Sequence, residues 1–252
     1  MSTLPAPRAD WAYFFDIDGT LVDIAPTPSE VRLERDLLDL IIRLHQLTGG
    51  ALALISGRSI EDIDSIMHSE KLPVAGQHGV ERRNAKGQIT THMLDAAMLE
   101  GSRARLRDAV AEHEALILED KGLSLALHYR LSPRLGSYAH RLMRTMQKEI
   151  GSDYTVLSGK RIVELKPSGK DKGQAVQEFM AEKPFKGRVP VFVGDDVTDE
   201  YGFAVVNEVG GYSVKVGPGA SSARWRLRDV RSVRNWLERA VTAGRPAVSR
   251  PH

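Results

Sequence analysis

Cysteine is absent from the 252 residues. That excludes disulfides, thiolate zinc sites and cysteine nucleophiles together, and it suits a cytoplasmic chain. Charge of one sign is missing as well: 35 basic residues against 33 acidic ones leave a formal net charge of +2. Such a balance sets up no strong field that would demand nucleic acid or an anionic membrane as partner. Nowhere do about 18 uncharged apolar residues run together. The opening MSTLPAPRAD lacks the basic start and apolar core of an export signal. A soluble, unexported, cytoplasmic protein without nucleic-acid or membrane partners is expected, with no internal repeat and no low-complexity tract.

What is present is enough apolar material, 42% of the chain, to fill one large domain or two small ones at roughly 100 to 200 residues each. The first half alternates strand and helix signals. WAYFF reads as a strand. Leu37, Ile41, Leu44 and Leu47, with Leu38 and Leu40 beside them, recur at helical spacing until Gly49-Gly50 stops the helix. ALALIS is a second buried strand, SIEDIDSIM a helix capped by Ser59 with acids in its first turn, and LPVAG a third strand. This order predicts an open α/β fold, a parallel sheet with helices on both faces.

From about Glu81 the signals turn antiparallel. NAKG looks like a hairpin turn, LSLALHY alternates with period two, and helices are expected around Met98–Leu116 and Ser132–Ile150. An inserted α+β unit is therefore expected over residues 82–166, within a discontinuous core of residues 1–81 and 167–252. VPVFVGDD and YSVKVG return to buried strands, Val230–Val241 is a last helix, and RPAVSRPH reads as a disordered tail.

The chemistry concentrates after the strands. In DIDGT, Asp16 and Asp18 stand two apart at a strand end, so both carboxylates point one way. Like charges that close are costly without a cation or proton between them. A plain Asp-Gly hairpin turn is the alternative, weakened because a Pro-punctuated loop and a helix follow instead of a partner strand. An EF-hand fails because its glycine belongs at loop position six and a helix should precede it.

ISGRS, Ile55–Ser59, offers a Ser hydroxyl and backbone N–H groups at a helix start, either an anion site or an ordinary capped turn. GDDVTDE supplies Asp195, Asp196 and Asp199, a hard oxygen set suited to Mg2+. In KPSGKDKGQAV, Lys170 and Lys172 precede a helix, as phosphate-facing or simply solvated lysines; the stretch lacks the first glycine of a P-loop. GPGASS lacks the third glycine of a dinucleotide fingerprint and reads as a loop. The arginines of RWRLRDVRSVRNWLER read as one solvated helix face. Carboxylates, an anion-binding turn, a second acidic cluster and a lysine, each after a strand or before a helix, are equipment for phosphoryl transfer.

In that order, DIDGT, SGR, Lys172 of KDKG and GDDVTDE resemble the four motifs of the haloacid dehalogenase-like (HAD) phosphatases, with a C2-type cap inserted between the second and third. DIDGTLVDIAPTP, SGRS, GQHGVE, LEDKGLSLALHYR and VELKPSGKDKG resemble more narrowly the trehalose-6-phosphate phosphatases. The resemblance implies a Rossmann-like core and a Mg2+-dependent sugar phosphatase. Asp16 would be the nucleophile and Asp18 the acid/base. Asp16, Asp195 and the carbonyl of Asp18 would hold the metal, supported by Asp196 and Asp199. Ser56, Gly57 and Lys172 would bind phosphate, Thr20 would order the first loop, and Glu119, Lys121, Arg130 and Glu164 would bind the disaccharide. Another HAD sugar phosphatase, of the sucrose-phosphate or mannosyl-phosphoglycerate type, and a non-catalytic sugar-phosphate-binding regulator are the alternatives. His78 stays open between a cleft residue and a core histidine. A monomer with a small-molecule substrate is expected.

Overall fold

A computed structural model describes residues 4–25, 27, 30–68, 71–92 and 96–243. The expected disordered tail lies outside the described residues. Two sheets organise the chain. The larger has eight strands in the order β12-β11-β10-β1-β2-β3-β4-β5. It begins with β1 (Trp11–Phe15), β2 (Leu52–Ile55) and β3 (Val74–Gly76) and continues through the hairpin β4 (Glu81–Arg83) and β5 (Ile89–Thr91). After the insertion it resumes with β10 (Val189–Gly194), β11 (Tyr212–Val216) and β12 (Trp225–Leu227). β1 pairs in parallel with both β2 and β10. The chain thus leaves β1 to one side and returns on the other, which makes the carboxyl end of β1 a switch point where ligands bind.

Period-two alternation assigns β1 to two cores. Trp11, Tyr13 and Phe15 face one layer, built with α1 (Arg35–Leu47), α2 (Ile60–Ile66) and Trp236 of the last helix. Ala12 and Phe14 face the other, with Val176 and Phe179 on one helix and Phe203 and Val206 on the next. Helices therefore cover both faces, as the strand-helix alternation predicts. Ser59 caps α2 by accepting the N–H of Asp62 at 3.1 Å. Of the apolar residues expected to face inward from α1, Leu47 alone is exposed, because it falls in the last turn where the helix leaves the core.

The smaller sheet is antiparallel, β6-β7-β9-β8, formed by β6 (Ile117–Asp120), β7 (Leu125–His128), β8 (Tyr154–Gly159) and β9 (Ile162–Pro167). One face carries Leu125, Leu127, Val163 and Leu165, packed against Leu106 of α3 (Glu100–Glu112) and Met143 and Met146 of α4 (Gly136–Ile150). The other face looks toward the large sheet. The expected boundary near residue 82 does not coincide with a sheet break. After β3 the chain turns through Gln77–Gly79, and the β4–β5 hairpin pairs antiparallel with β3, extending the large sheet.

The remaining helices are α5 (Lys172–Met180), α6 (Asp199–Glu208) and α7 (Val230–Ala243). The arginine-rich stretch is not one helix: residues Trp225–Leu227 form edge strand β12, and only from Val230 does α7 begin. Among the described residues no helix is long and apolar enough to cross a membrane.

Candidate active site

The loops after β1, β2 and β10 meet the N-terminus of α5 at the carboxyl ends of the central strands of the large sheet. Asp16 prolongs β1, its N–H donating to the carbonyl of Val193 at 3.0 Å, and its side chain is buried. Lys172, the first residue of α5, donates to Asp16 Oδ1 at 2.8 Å and to Asp199 Oδ1 at 2.6 Å. A cation at a helix N-terminus opposes the helix dipole, so these carboxylates are what hold it there. Thr20 Oγ1 donates to the other oxygen of Asp16 at 3.3 Å, which fits its expected role in ordering the first loop.

Asp199 also accepts the backbone N–H groups of Asp195 and Asp196 through Oδ2, at 2.8 and 2.9 Å, and so shapes the turn after β10. Gly19, at φ +88°, lies so close that a Cβ there would stand 2.2 Å from Asp195 Oδ2. The loop after β1 and the acid after β10 therefore pack against each other, and that contact requires glycine.

Ligand oxygens of Asp16, Asp195 and Asp199, all buried, lie within 4.8 Å of one another. Burial raises the Asp16 carboxyl well above the usual carboxylate range, with Lys172 opposing it. Burial raises Asp195 too, with Lys160 opposing. Lys172 is held above its ordinary value because Asp16 and Asp199 overcome its burial. Asp195 Oδ1 is buried without a hydrogen-bond partner. Crowded acid oxygens with one orphaned are a donor set for a hard divalent cation.

Asp18 points into the cleft and is gripped by Arg58 through two bonds, Nε to Oδ2 at 2.6 Å and an Nη to Oδ1 at 2.7 Å. The loop holding Arg58 is tied by its own N–H to Ser56 Oγ at 3.2 Å. Ser56 and Gly57 line the same cleft, which is open to solvent. Adding a Cβ to Gly57 would bring it within 2.7 Å of His78 Nε2, so the histidine sits directly against this turn.

The small sheet supplies the opposite wall. Register puts Glu119, Ala126 and Glu164 in one cross-strand row on the face away from the helices. The small alanine leaves room for Lys121, whose Nζ lies 3.3 Å from Glu164 and 4.0 Å from Glu119 and donates to the carbonyl of Gly57 at 2.7 Å. His78, within hydrogen-bond distance of Glu164 at 3.2 Å, makes a second crossing between the sheets. Burial would raise the Glu164 carboxyl, but Lys121 and His78 hold it far below the usual range. Burial lowers His78, with Glu164 opposing. Glu119 contacts His128 at 2.7 Å, and Arg130 reaches the carbonyls of Ala25 and Lys160.

All twelve site residues read from the sequence line this cleft or stand one bond from it, Asp199 being the one that supports from behind. Lys170 does not join them: it pairs with Glu178 at 2.6 Å on the surface. His78 is buried and lines the cleft wall, and it is not a satisfied core histidine, since its Nδ1 has no hydrogen-bond partner. Sequence reasoning missed Arg58, although it is the cation of ISGRS. It also missed Lys160, at the β8–β9 hairpin, which donates to Asp195, and Lys215, whose signal is a lysine inside the apolar strand YSVKV.

The fold of the chain is shared with a haloacid dehalogenase-like hydrolase from B. subtilis. The two share it at a TM-score of 0.59 and 14% identity, over 90% of this chain and 98% of that one. The C-terminal domain of C. albicans trehalose-6-phosphate phosphatase shares it more closely, with a TM-score of 0.82 at 22% identity over 93% of this chain and 92% of that one. Residues 14–231 match the trehalose-phosphatase family. The chain is 43% identical to the trehalose-6-phosphate phosphatase of Escherichia coli strain K12, covering 96% of its own length and 91% of the relative's. It belongs to the trehalose-phosphatase family.

Proposed function

We propose that the protein hydrolyses trehalose 6-phosphate to trehalose and phosphate, the last step of trehalose formation, through a phosphoaspartyl intermediate. The observation that carries this reading is the buried Asp16, bonded to Lys172 and facing the same cleft as Glu119, Lys121, Arg130 and Glu164. The first set handles a phosphoryl group and the second a polyhydroxylated leaving group. Asp16 and Asp195, with the carbonyl of Asp18, would hold Mg2+, for which the orphaned Asp195 Oδ1 speaks. Bound there, the ion would offset charge on the phosphoryl oxygens.

Asp16 attacks phosphorus while the bond to the sugar oxygen breaks, and Asp18 gives that oxygen its proton. Asp18 then takes a proton from water as the water attacks phosphorus, and the bond to Asp16 breaks to release phosphate. Arg58 grips Asp18 through a two-bonded fork, and each Asp18 oxygen keeps a lone pair for the proton it carries. Lys172, Ser56 and the turn at Gly57 steady the phosphoryl oxygens. Glu119, Lys121, Arg130 and Glu164 bind sugar hydroxyls and leave their own polar groups unpaired with a misplaced analogue.

The division of labour we infer is a discontinuous catalytic core and an inserted recognition cap that begins after the β4–β5 hairpin. Phosphate release from a panel of esters tests the substrate. Trehalose 6-phosphate should lead sucrose 6-phosphate, mannosyl phosphoglycerate and glucose 6-phosphate in kcat/KM, and a preference for any of these overturns the reading.

A further inference from the structure

Lys160 is a cation at the acidic cluster that the proposed reaction does not use. It follows β8 at the hairpin into β9, beside Arg161 at φ +66°, and so belongs to the small sheet. Its Nζ nevertheless reaches the core, donating to Asp195 Oδ2 and to the main-chain carbonyl of Asp195 at 3.1 Å. The carbonyl also accepts from Lys215.

Three buried carboxylates, Asp16, Asp195 and Asp199, are thus met by two ammonium groups, Lys172 and Lys160. The two are not equivalent. Lys172 is buried and bonded to two of the acids, so it cannot leave without stranding them. The Lys160 side chain is 49% exposed and stands at a hairpin, so it can return to water at little cost. A divalent ion at Asp195 Oδ1 adds two positive charges to the carboxylate whose other oxygen, Oδ2, Lys160 holds, and like charges gathered on one carboxylate repel.

We propose that Lys160 and the divalent cation compete for Asp195, so that the β8–β9 hairpin is latched to the core in the metal-free protein and released when metal binds. This rests on the reading that Asp195 is a metal ligand. Because coupling between two binding events is reciprocal, holding the hairpin down weakens the metal and binding the metal loosens the hairpin.

Titrating the full-length protein with Mn2+ and following the free ion by electron paramagnetic resonance tests it without reference to turnover. Lys160→Met keeps the alkyl stem and removes the charge, and should bind Mn2+ roughly fivefold more tightly, the factor expected when a partly exposed ion pair no longer withholds the site. Lys160→Arg should stay with the wild type, and Asp195→Asn should bind far more weakly. Amide exchange in residues 157–162 of the wild type should speed up on adding Mn2+. Equal or weaker binding by Lys160→Met beside a weakened Asp195→Asn overturns the latch and leaves the metal site standing, as does hairpin exchange unmoved by Mn2+. An Asp195→Asn protein that binds like the wild type overturns both.

Discussion

Lys172 and Asp16 are joined by a 2.8 Å bond across 156 positions of sequence, both of them buried. The same ammonium holds Asp199, and Asp199 in turn holds the turn after β10. Lys172→Met should therefore abolish turnover and also cost stability, about 3–5 kcal/mol for breaking a buried pair and leaving its acids uncompensated. Urea unfolding at neutral pH measures this. A loss below ~1 kcal/mol would show that the lysine is there for catalysis alone.

Gly19 follows Asp16 and Asp18 in sequence and stands against a third acid, Asp195, in space. Its φ of +88° is one that L side chains rarely adopt, and a Cβ would overlap the Asp195 carboxylate. Gly19→Ala should push Asp195 out of the cluster and reduce kcat/KM by roughly 100-fold or more, since ångström misplacements cost about that much. Raising the metal concentration should recover part of the loss. Activity within about threefold of wild type would mean that the loop after β1 can shift without consequence.

The central strands β1, β2, β3, β10 and β11 of the large sheet were legible because they are short apolar runs, and α1 because its apolar residues Leu37, Leu38, Ile41 and Leu44 recur at helical spacing. Asp16, Asp18 and Asp195 were legible for a related reason: an acid that directly ends a buried strand has no structural purpose there. Arg58, Lys160 and Lys215 were not, because nothing in a local stretch tells which charge reaches across to another element. Glu119, Lys121, Arg130 and Glu164 read as solvated strand charges by periodicity, and only resemblance singled them out. The structure gives the missing reason: register aligns Glu119 and Glu164 on the face that has no helix over it. The pairing of the β4–β5 hairpin was not legible, because its antiparallel turn looks the same whether it extends the large sheet, as it does here, or starts the small one.

A specificity role for the small sheet separates two kinds of substrate. Glu119→Ala removes a group of the sugar-facing row while leaving Asp16, Asp18 and Lys172 untouched. It should lower kcat/KM for the disaccharide phosphate by about 10- to 100-fold, the worth of hydrogen bonds to a charged group, and leave a small activated phosphate ester nearly unchanged. Arg130→Ala should follow the same pattern with a larger KM effect, because Arg130 also reaches the carbonyl of Ala25 and so joins the end of β7 to the loop after β1. Equal losses on both esters would contradict recognition by the cap.

Glu164 makes the junction between the sheets sensitive to acid. Burial favours its neutral form, yet Lys121 and His78 prevail and keep the folded carboxyl far below the ordinary value of 4.5. A carboxyl whose folded pKa is depressed contributes stability that is fully present above its unfolded pKa and is lost as pH falls toward the folded one. The wild type should therefore exceed Glu164→Gln in unfolding free energy by the greatest margin at pH 6 to 7, and the margin should shrink steadily once pH drops below about 4.5. Acid titration of the other carboxylates is common to both proteins and cancels in the difference. Urea unfolding of the pair at several pH values between about 7 and 3 reads that difference directly. A margin that stays constant through the acid range would mean that the glutamate is not held ionised by Lys121 and His78, and one that widens on acidification would reverse the sign of the linkage.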